Sequence, residues 1–257
     1  MDLVTTASGF LVGILVGATG VGGGSLMTPL LVLLIGVAPS VAVGTDLLYA
    51  SITKVAGAWA HGRRGNIEWR ICGLLALGSL PAAVITLYVL SQLRVDPAHY
   101  QIVLKRCLAV ALVISATALV LKDRLHAIAL RRSAGSGSTR TPPAATIVTG
   151  AVVGALVTAT SVGAGALGVV VLLFLYPGLA ATRIVGTDIA HAVPLTLLAG
   201  AGHWWLGSID WALLVSLLCG SIPGIAIGSH FASRVPDGVL RPLLAGTLAV
   251  VGGRLVF

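Results

Sequence analysis

At 257 residues, 57% of them hydrophobic and only 9% charged, with a mean hydropathy of +1.03, the chain is too apolar for a soluble domain. It reads as an all-α polytopic membrane protein. The formal net charge of +8 does not point to nucleic acid: the basic residues sit in short turns between apolar runs, the pattern that orients a chain in lipid, so membrane lipid is the expected surroundings and nucleic acid is excluded as a partner.

The N-terminus carries neither a basic lead nor a cleavage site, so no removable signal peptide is expected. The first apolar run, residues 9–36, is interrupted by Gly20-Val21-Gly22-Gly23-Gly24-Ser25. Each glycine in a helix interior costs roughly 1 kcal/mol against alanine, and the run exceeds the about 20 residues that cross a bilayer. Two half-length helices meeting at a glycine break are predicted. The break must be buried in protein or line a cavity, because lipid cannot satisfy freed N–H and C=O groups. The second half-helix, beginning near Ser25, turns open amides and the positive end of its dipole towards that cavity, which attracts anions. Three further segments are predicted over 39–60, 67–90 and 100–121, separated by polar turns at 61–66 and 91–98. Residues 123–143 are basic, then Gly/Ser-rich, and end in Pro142-Pro143. They are predicted to be a flexible linker between a first repeat, 1–122, and a second, 144–257. Cys72, Cys107 and Cys219 lie inside apolar runs without ligand spacing, so no metal or cofactor is expected.

The second half repeats the first. At an offset of 141, Gly13, Thr19, Gly22 and Gly24 fall on Gly154, Thr160, Gly163 and Gly165. At an offset of 142, Gly44-Thr45-Asp46 falls on Gly186-Thr187-Asp188, His61 on His203, Trp69 on Trp211, and Gly78-Ser79-Leu80-Pro81 on Gly220-Ser221-Ile222-Pro223. Paired repeats of this kind are a transporter architecture. The turn after the second segment carries Arg63, Arg64 and Arg70 in the first repeat, and no Lys or Arg in its counterpart around Trp204 and Trp205. By the positive-inside rule the first turn and the basic linker face the cytoplasm and the counterpart faces outward. Equivalent turns on opposite faces require inverted repeats, each with a glycine-broken re-entrant segment plus three transmembrane helices. The protein is expected in the cell membrane.

Gly20-Val-Gly-Gly-Gly-x4-Pro29, then Ala42-Val-Gly-Thr45, then His61-Gly-Arg-Arg-Gly65-Asn, in two copies over nearly the whole chain, resembles the TauE/SafE family of sulfite exporters and sulfonate permeases. The resemblance implies secondary transport of small sulfur-containing anions such as sulfite or sulfoacetate, coupled to protons. Two departures from the family pattern stand out. Asp46 and Asp188 replace the serine that commonly follows Gly-Thr, and the second glycine motif carries Ala164 and Ala166.

Asp46 and Asp188 each lie six or seven residues into an apolar segment, roughly 10 Å along it. A carboxylate at that depth is a functional-site hypothesis by default. Proton coupling, a structural hydrogen bond to a glycine loop, and coordination of a cation are all open to it. His191, one helical turn after Asp188, is either a proton relay or a hydrogen-bonded core histidine. Lys54, whose counterpart is Thr196, either neutralises an anionic substrate or snorkels to the cytoplasmic face. Gly22, Gly23, Gly24, Ser25, Gly163, Gly165 and Ala166 are the candidate amide donors to that substrate. Thr45 and Thr187 either donate hydroxyl hydrogen bonds to it or bond back to the preceding helical turn. His61 and His203 are expected to hydrogen-bond at span ends, and the tryptophans to form an interfacial belt.

The expected function is a secondary transporter working by alternating access, not an enzyme; no P-loop ending follows the glycine runs, so ATP-driven pumping would need a partner protein. An uncoupled anion channel is the alternative. An intramembrane aspartyl enzyme would leave the glycine tips without a role. The abundance of small residues in the helices allows a homodimer.

Overall fold

The computed structural model describes residues 3–19, 24–33, 35–94, 96–136 and 142–231, with 246, 250, 252 and 253 beyond them. Among these every regular element is a helix and there is no strand. The first half contributes α1 (Leu3–Thr19), α2 (Gly24–Leu33), α3 (Pro39–Arg63), α4 (Trp69–Leu93) and α5 (Pro97–Ser136); the second contributes α6 (Pro143–Thr160), α7 (Ala166–Leu175), α8 (Ala181–Trp205) and α9 (Trp211–Phe231). Segments of α4, α5, α6, α8 and α9 are long and apolar enough to cross a membrane. The chain is therefore a multi-pass membrane protein. Helix α3 is as long as its counterpart α8, 25 residues, but Asp46, Lys54 and its many small residues dilute its apolar character. Large apolar side chains such as Val120 and Tyr88 are exposed on the outside of the bundle, where lipid suits them.

The glycine break is realised as two separate helices in each half. In the second half its geometry is fully visible. Helix α6 ends at Ser161 with φ +58°, and Gly163 and Gly165 follow at φ +120° and +139°. Gly163 and Gly165 lie where an L side chain is strained, whereas Ala164 and Ala166 have no positive φ. That explains why Ala164 and Ala166 are tolerated between and after them, and why Gly163 and Gly165 match glycines in the first motif. The Thr146 hydroxyl and the Tyr176 phenol are 2.5 Å apart, joining the start of α6 to the end of α7. The second broken segment therefore turns back on itself as a hairpin.

Helix α1 packs on α9 and α4 on α6, so the first helix of each half lies against the fourth helix of the other. Close approach rests on glycines. A Cβ on Gly78 would run into the Ile147 carbonyl and the Ala151 amide nitrogen, and one on Gly220 would meet Thr6 and Phe10 in the same way. Gly154 and Gly13 sit against Ser79 and Ser221 respectively. These contacts exchange under the same offsets as the sequence, so the halves form a pseudo-twofold pair. Helices α3 and α8 pack on each other at its centre, burying Val43, Leu47, Ala192, Leu195 and Ala199 with Val157 and Ala164.

The predicted flexible linker differs. Helix α5 continues through its basic part to Ser136, because Lys, Arg, Leu and Ala are good helix formers; residues 137–141 lie outside the described ones.

Candidate functional site

The second glycine tip, Ser161 to Ala166, is buried throughout and held by local hydrogen bonds. The Val162 amide donates to the Thr160 hydroxyl at 3.1 Å, and the Gly168 amide donates to the Gly163 carbonyl at 2.9 Å. The Ala164 carbonyl points out of this turn. Lys54 reaches it from α3 in the other half, its Nζ donating at 2.6 Å. Lys54 is only 6% exposed, so it does not snorkel: its ammonium is drawn inward to a backbone oxygen that the helix geometry leaves free.

Asp46 from α3 and Asp188 from α8 are both buried, and both lie within electrostatic reach of that ammonium. Neither makes a direct ion pair with it. The two carboxylates are held differently. Thr28 on α2 donates its hydroxyl to Asp46 Oδ2 at 2.5 Å, while Asp46 Oδ1 has no partner among the described residues. The Ser161 hydroxyl lies beside Asp46 and interacts with it, without an ordinary hydrogen-bond partner among the described residues. Asp188 stands against Gly168 in the first turn of α7, where a Cβ would collide with its carboxylate, and its Oδ2 has no partner among the described residues. The counterpart of Thr28 is Val169, which offers no hydroxyl.

His191 is buried near Lys54, and its Nε2 is 2.8 Å from Ser79 Oγ on α4. The offset of 142 that takes Ser79 to Ser221 takes Tyr49 to His191. Tyr49 is indeed buried beside Ser221 and within reach of Asp46. Tyr49, Thr28 and Ser161 went unnoticed in the sequence, although carrying His191 back by the repeat offset identifies the first of them.

Lys54, Asp46, Asp188, His191, Gly163, Gly165 and Ala166 are thus brought to one region. Gly22 and Gly23 lie outside the described residues; Gly24 and Ser25 open α2. Of the two roles open to Thr45 and Thr187, Thr187 takes the bond back to the preceding turn. The Thr187 hydroxyl donates to the Arg183 carbonyl at 2.7 Å and accepts from the Glu68 amide at 2.9 Å. Thr45 accepts from the Asp210 amide at 3.1 Å. Both hydroxyls satisfy amides where α4 and α9 begin, joining one half to the other. Thr45→Val and Thr187→Val are each expected to lower stability by about 1 kcal/mol, read as a fall in melting temperature with ligand response retained. His203 also turns inward, its Nε2 2.9 Å from the Thr158 carbonyl. Trp69, Trp204, Trp205 and Trp211 are exposed, as an interfacial belt requires.

A family model described as "Sulfite exporter TauE/SafE" matches residues 5–255. The chain belongs to the TauE/SafE family. It is similar to "Probable membrane transporter protein YjnA" of Bacillus subtilis (strain 168), 38% identical over the whole of both chains. It is also similar to "Probable membrane transporter protein YdhB" of the same organism, 29% identical over 96% of this chain and 97% of that one. No solved structure matches. The protein is therefore a membrane transporter of the TauE/SafE sulfite exporter family. In this member a lysine and two aspartates, drawn from both halves, converge on one broken helix.

Proposed function

We propose that this TauE/SafE transporter is a secondary carrier of small sulfur-containing oxyanions, sulfite or organosulfonates such as sulfoacetate, working by alternating access coupled to protons. The observation that carries the reading is the buried Lys54 ammonium at the Ala164 carbonyl, with a carboxylate from each half near it and in direct pairing with neither. When both Asp46 and Asp188 hold protons, Lys54 is the lone charge and an anion neutralises it. When both are ionised, the site is already net negative and repels an anion. Anion and proton therefore load together. The amino-terminal end of α7 adds a favourable dipole. Asp188 lies at that same first turn, so its ionised form competes with the substrate for it. His191 and Ser79 extend the path for the proton.

The reciprocal packing of the halves supports repeats that exchange roles during transport. The contrast between Arg63-Arg64 and the Trp204-Trp205 turn supports their inversion in the cell membrane, with 123–143 cytoplasmic and division into 1–122 and 144–257. Burial of the whole constellation favours a carrier over an open channel.

The test is a thermal-shift panel on purified protein with sulfite, sulfate, sulfoacetate, taurine, thiosulfate and chloride, at acid and mildly alkaline pH. Sulfite or a sulfonate well above its Kd is expected to stabilise by about 2–3 kcal/mol. The effect should be stronger at acid pH, with the pH difference reduced in Asp46→Asn. No stabilisation by any sulfur oxyanion removes the substrate assignment. Flux in liposomes that neither saturates nor responds to a proton gradient makes the protein a channel.

A further inference from the structure

The pseudo-symmetry is broken most sharply at Lys54. Its counterpart, Thr196, donates its hydroxyl to the Ala192 carbonyl one turn back at 2.8 Å and takes no part in the constellation. The ammonium, by contrast, sits among oxygen atoms drawn from both halves. The Ala164 carbonyl is 2.6 Å from it, and the Asp46 and Asp188 carboxylates are within its electrostatic reach. Three oxygens of this neighbourhood are buried with no hydrogen-bond partner among the described residues: Asp46 Oδ1, Asp188 Oδ2 and Ser161 Oγ. All three residues are 2% exposed or less. Carboxylate, hydroxyl and backbone carbonyl oxygens are the donors that a hard cation takes. A carbonyl freed at a helix break, facing buried carboxylates, is where ion-coupled carriers hold a cation at membrane depth. The only cation that the described residues place there is covalently part of the chain.

We propose that Lys54 is a built-in cation: it fills a monovalent-cation site formed by the Asp46 and Asp188 carboxylates, the Ala164 carbonyl and the Ser161 hydroxyl, and so makes this transporter independent of sodium. The inference rests on the reading above that this constellation is the coupling site, but its test needs no substrate. Removing the ammonium leaves two carboxylates with nothing to neutralise them except protons or an ion from solution. A sodium ion is small enough to enter the space vacated by the Lys54 side chain and to take the same oxygens.

Purified wild type, Lys54→Ala and Lys54→Ser are melted in sodium chloride and in choline chloride at matched ionic strength and mildly alkaline pH, without any sulfur oxyanion. Wild type is expected to melt at the same temperature in both salts. Each variant is expected to melt about 3 °C or more higher in sodium, and to lose that difference when Asp188→Asn is added. Folded variants that melt alike in the two salts would overturn the proposal, as would sodium-specific stabilisation of the wild type. If the variants can be purified only in sodium, that outcome supports it. If neither salt yields folded protein, Lys54→Arg decides: recovery of wild-type melting, alike in both salts, supports a tethered cation, and failure to fold overturns it. Sodium-blind variants beside a wild type that sulfite still stabilises would sink this inference alone and leave the substrate reading standing.

Discussion

Gly78→Leu is expected to prevent recovery of monodisperse protein, whereas Gly73→Ala on the same helix leaves the melting temperature unchanged or slightly raised. The contrast follows from what each missing Cβ would meet. At Gly78 it meets the Ile147 carbonyl and the Ala151 nitrogen of α6, atoms that cannot rotate aside; at Gly73 nothing lies within 4 Å. Helices in lipid gain no hydrophobic energy by associating, so α4 and α6 are held by close contact along their whole crossing. A single Cβ forces the axes apart and loosens every contact at once. Gly78→Ala is expected to cost about 1–3 kcal/mol, and leucine more than the pair can bear. Gly220→Leu should do the same to α1 and α9, where the added atom meets the Thr6 carbonyl and the Phe10 nitrogen. The measurement is size-exclusion profile and melting temperature side by side. A Gly78→Leu protein that elutes and melts like wild type would mean that α4 and α6 are not held by this glycine seam.

The glycines also show how far the sequence is readable and where it stops. Repetition at a fixed offset is a property of the string, so the broken segments, the paired Gly-Thr-Asp motifs and the matched Gly78 and Gly220 could be read without coordinates. So could the burial of Asp46 and Asp188, because an acidic residue inside an apolar run has nowhere cheap to go. The destination of Lys54 could not. Its partner Ala164 is 110 positions away, and no periodicity encodes a contact across that interval. Thr28 was invisible for a related reason: the offset takes it to Val169, so symmetry gave no hint that one carboxylate has a hydroxyl donor and the other does not. Thr45 and Thr187 were legible as a pair, and the bond of Thr187 back to the preceding turn was one of its two expected roles, but local spacing cannot show that each hydroxyl also accepts from the first amide of a helix in the opposite half. In α5 the basic composition suggested a linker, while the helix propensity of the same residues carried the helix to Ser136.

Asp46→Asn/Asp188→Asn is expected to bind the sulfur oxyanion at mildly alkaline pH as tightly as wild type does at acid pH, and to lose proton-driven accumulation in liposomes. Asparagine imitates a carboxyl group that always holds its proton, so Lys54 becomes a permanent lone charge and the anion finds the loaded site without waiting for protons. The complementary change, Lys54→Met, is expected to weaken anion binding about 100-fold at every pH. A unit charge about 4 Å away in a medium of effective dielectric near 20 is worth about 4 kcal/mol before desolvation is subtracted. Lys54→Arg keeps the charge and should retain much of the affinity, which separates loss of charge from loss of the hydrogen bond to Ala164. The asymmetry of the carboxylates sharpens the expectation for the single changes. Asp46 accepts from Thr28, and an amide turned with its oxygen to that hydroxyl keeps the bond. Asp188 has no hydroxyl donor and stands against the first turn of α7, so Asp188→Asn should relieve more of the repulsion felt by the substrate and shift the pH profile further. Equal shifts from the two single variants would mean that the anion lies midway between the halves instead of at the α7 tip. Loss of anion binding at all pH values in the double variant would make the carboxylates ligands or struts, and proton coupling through them would fall.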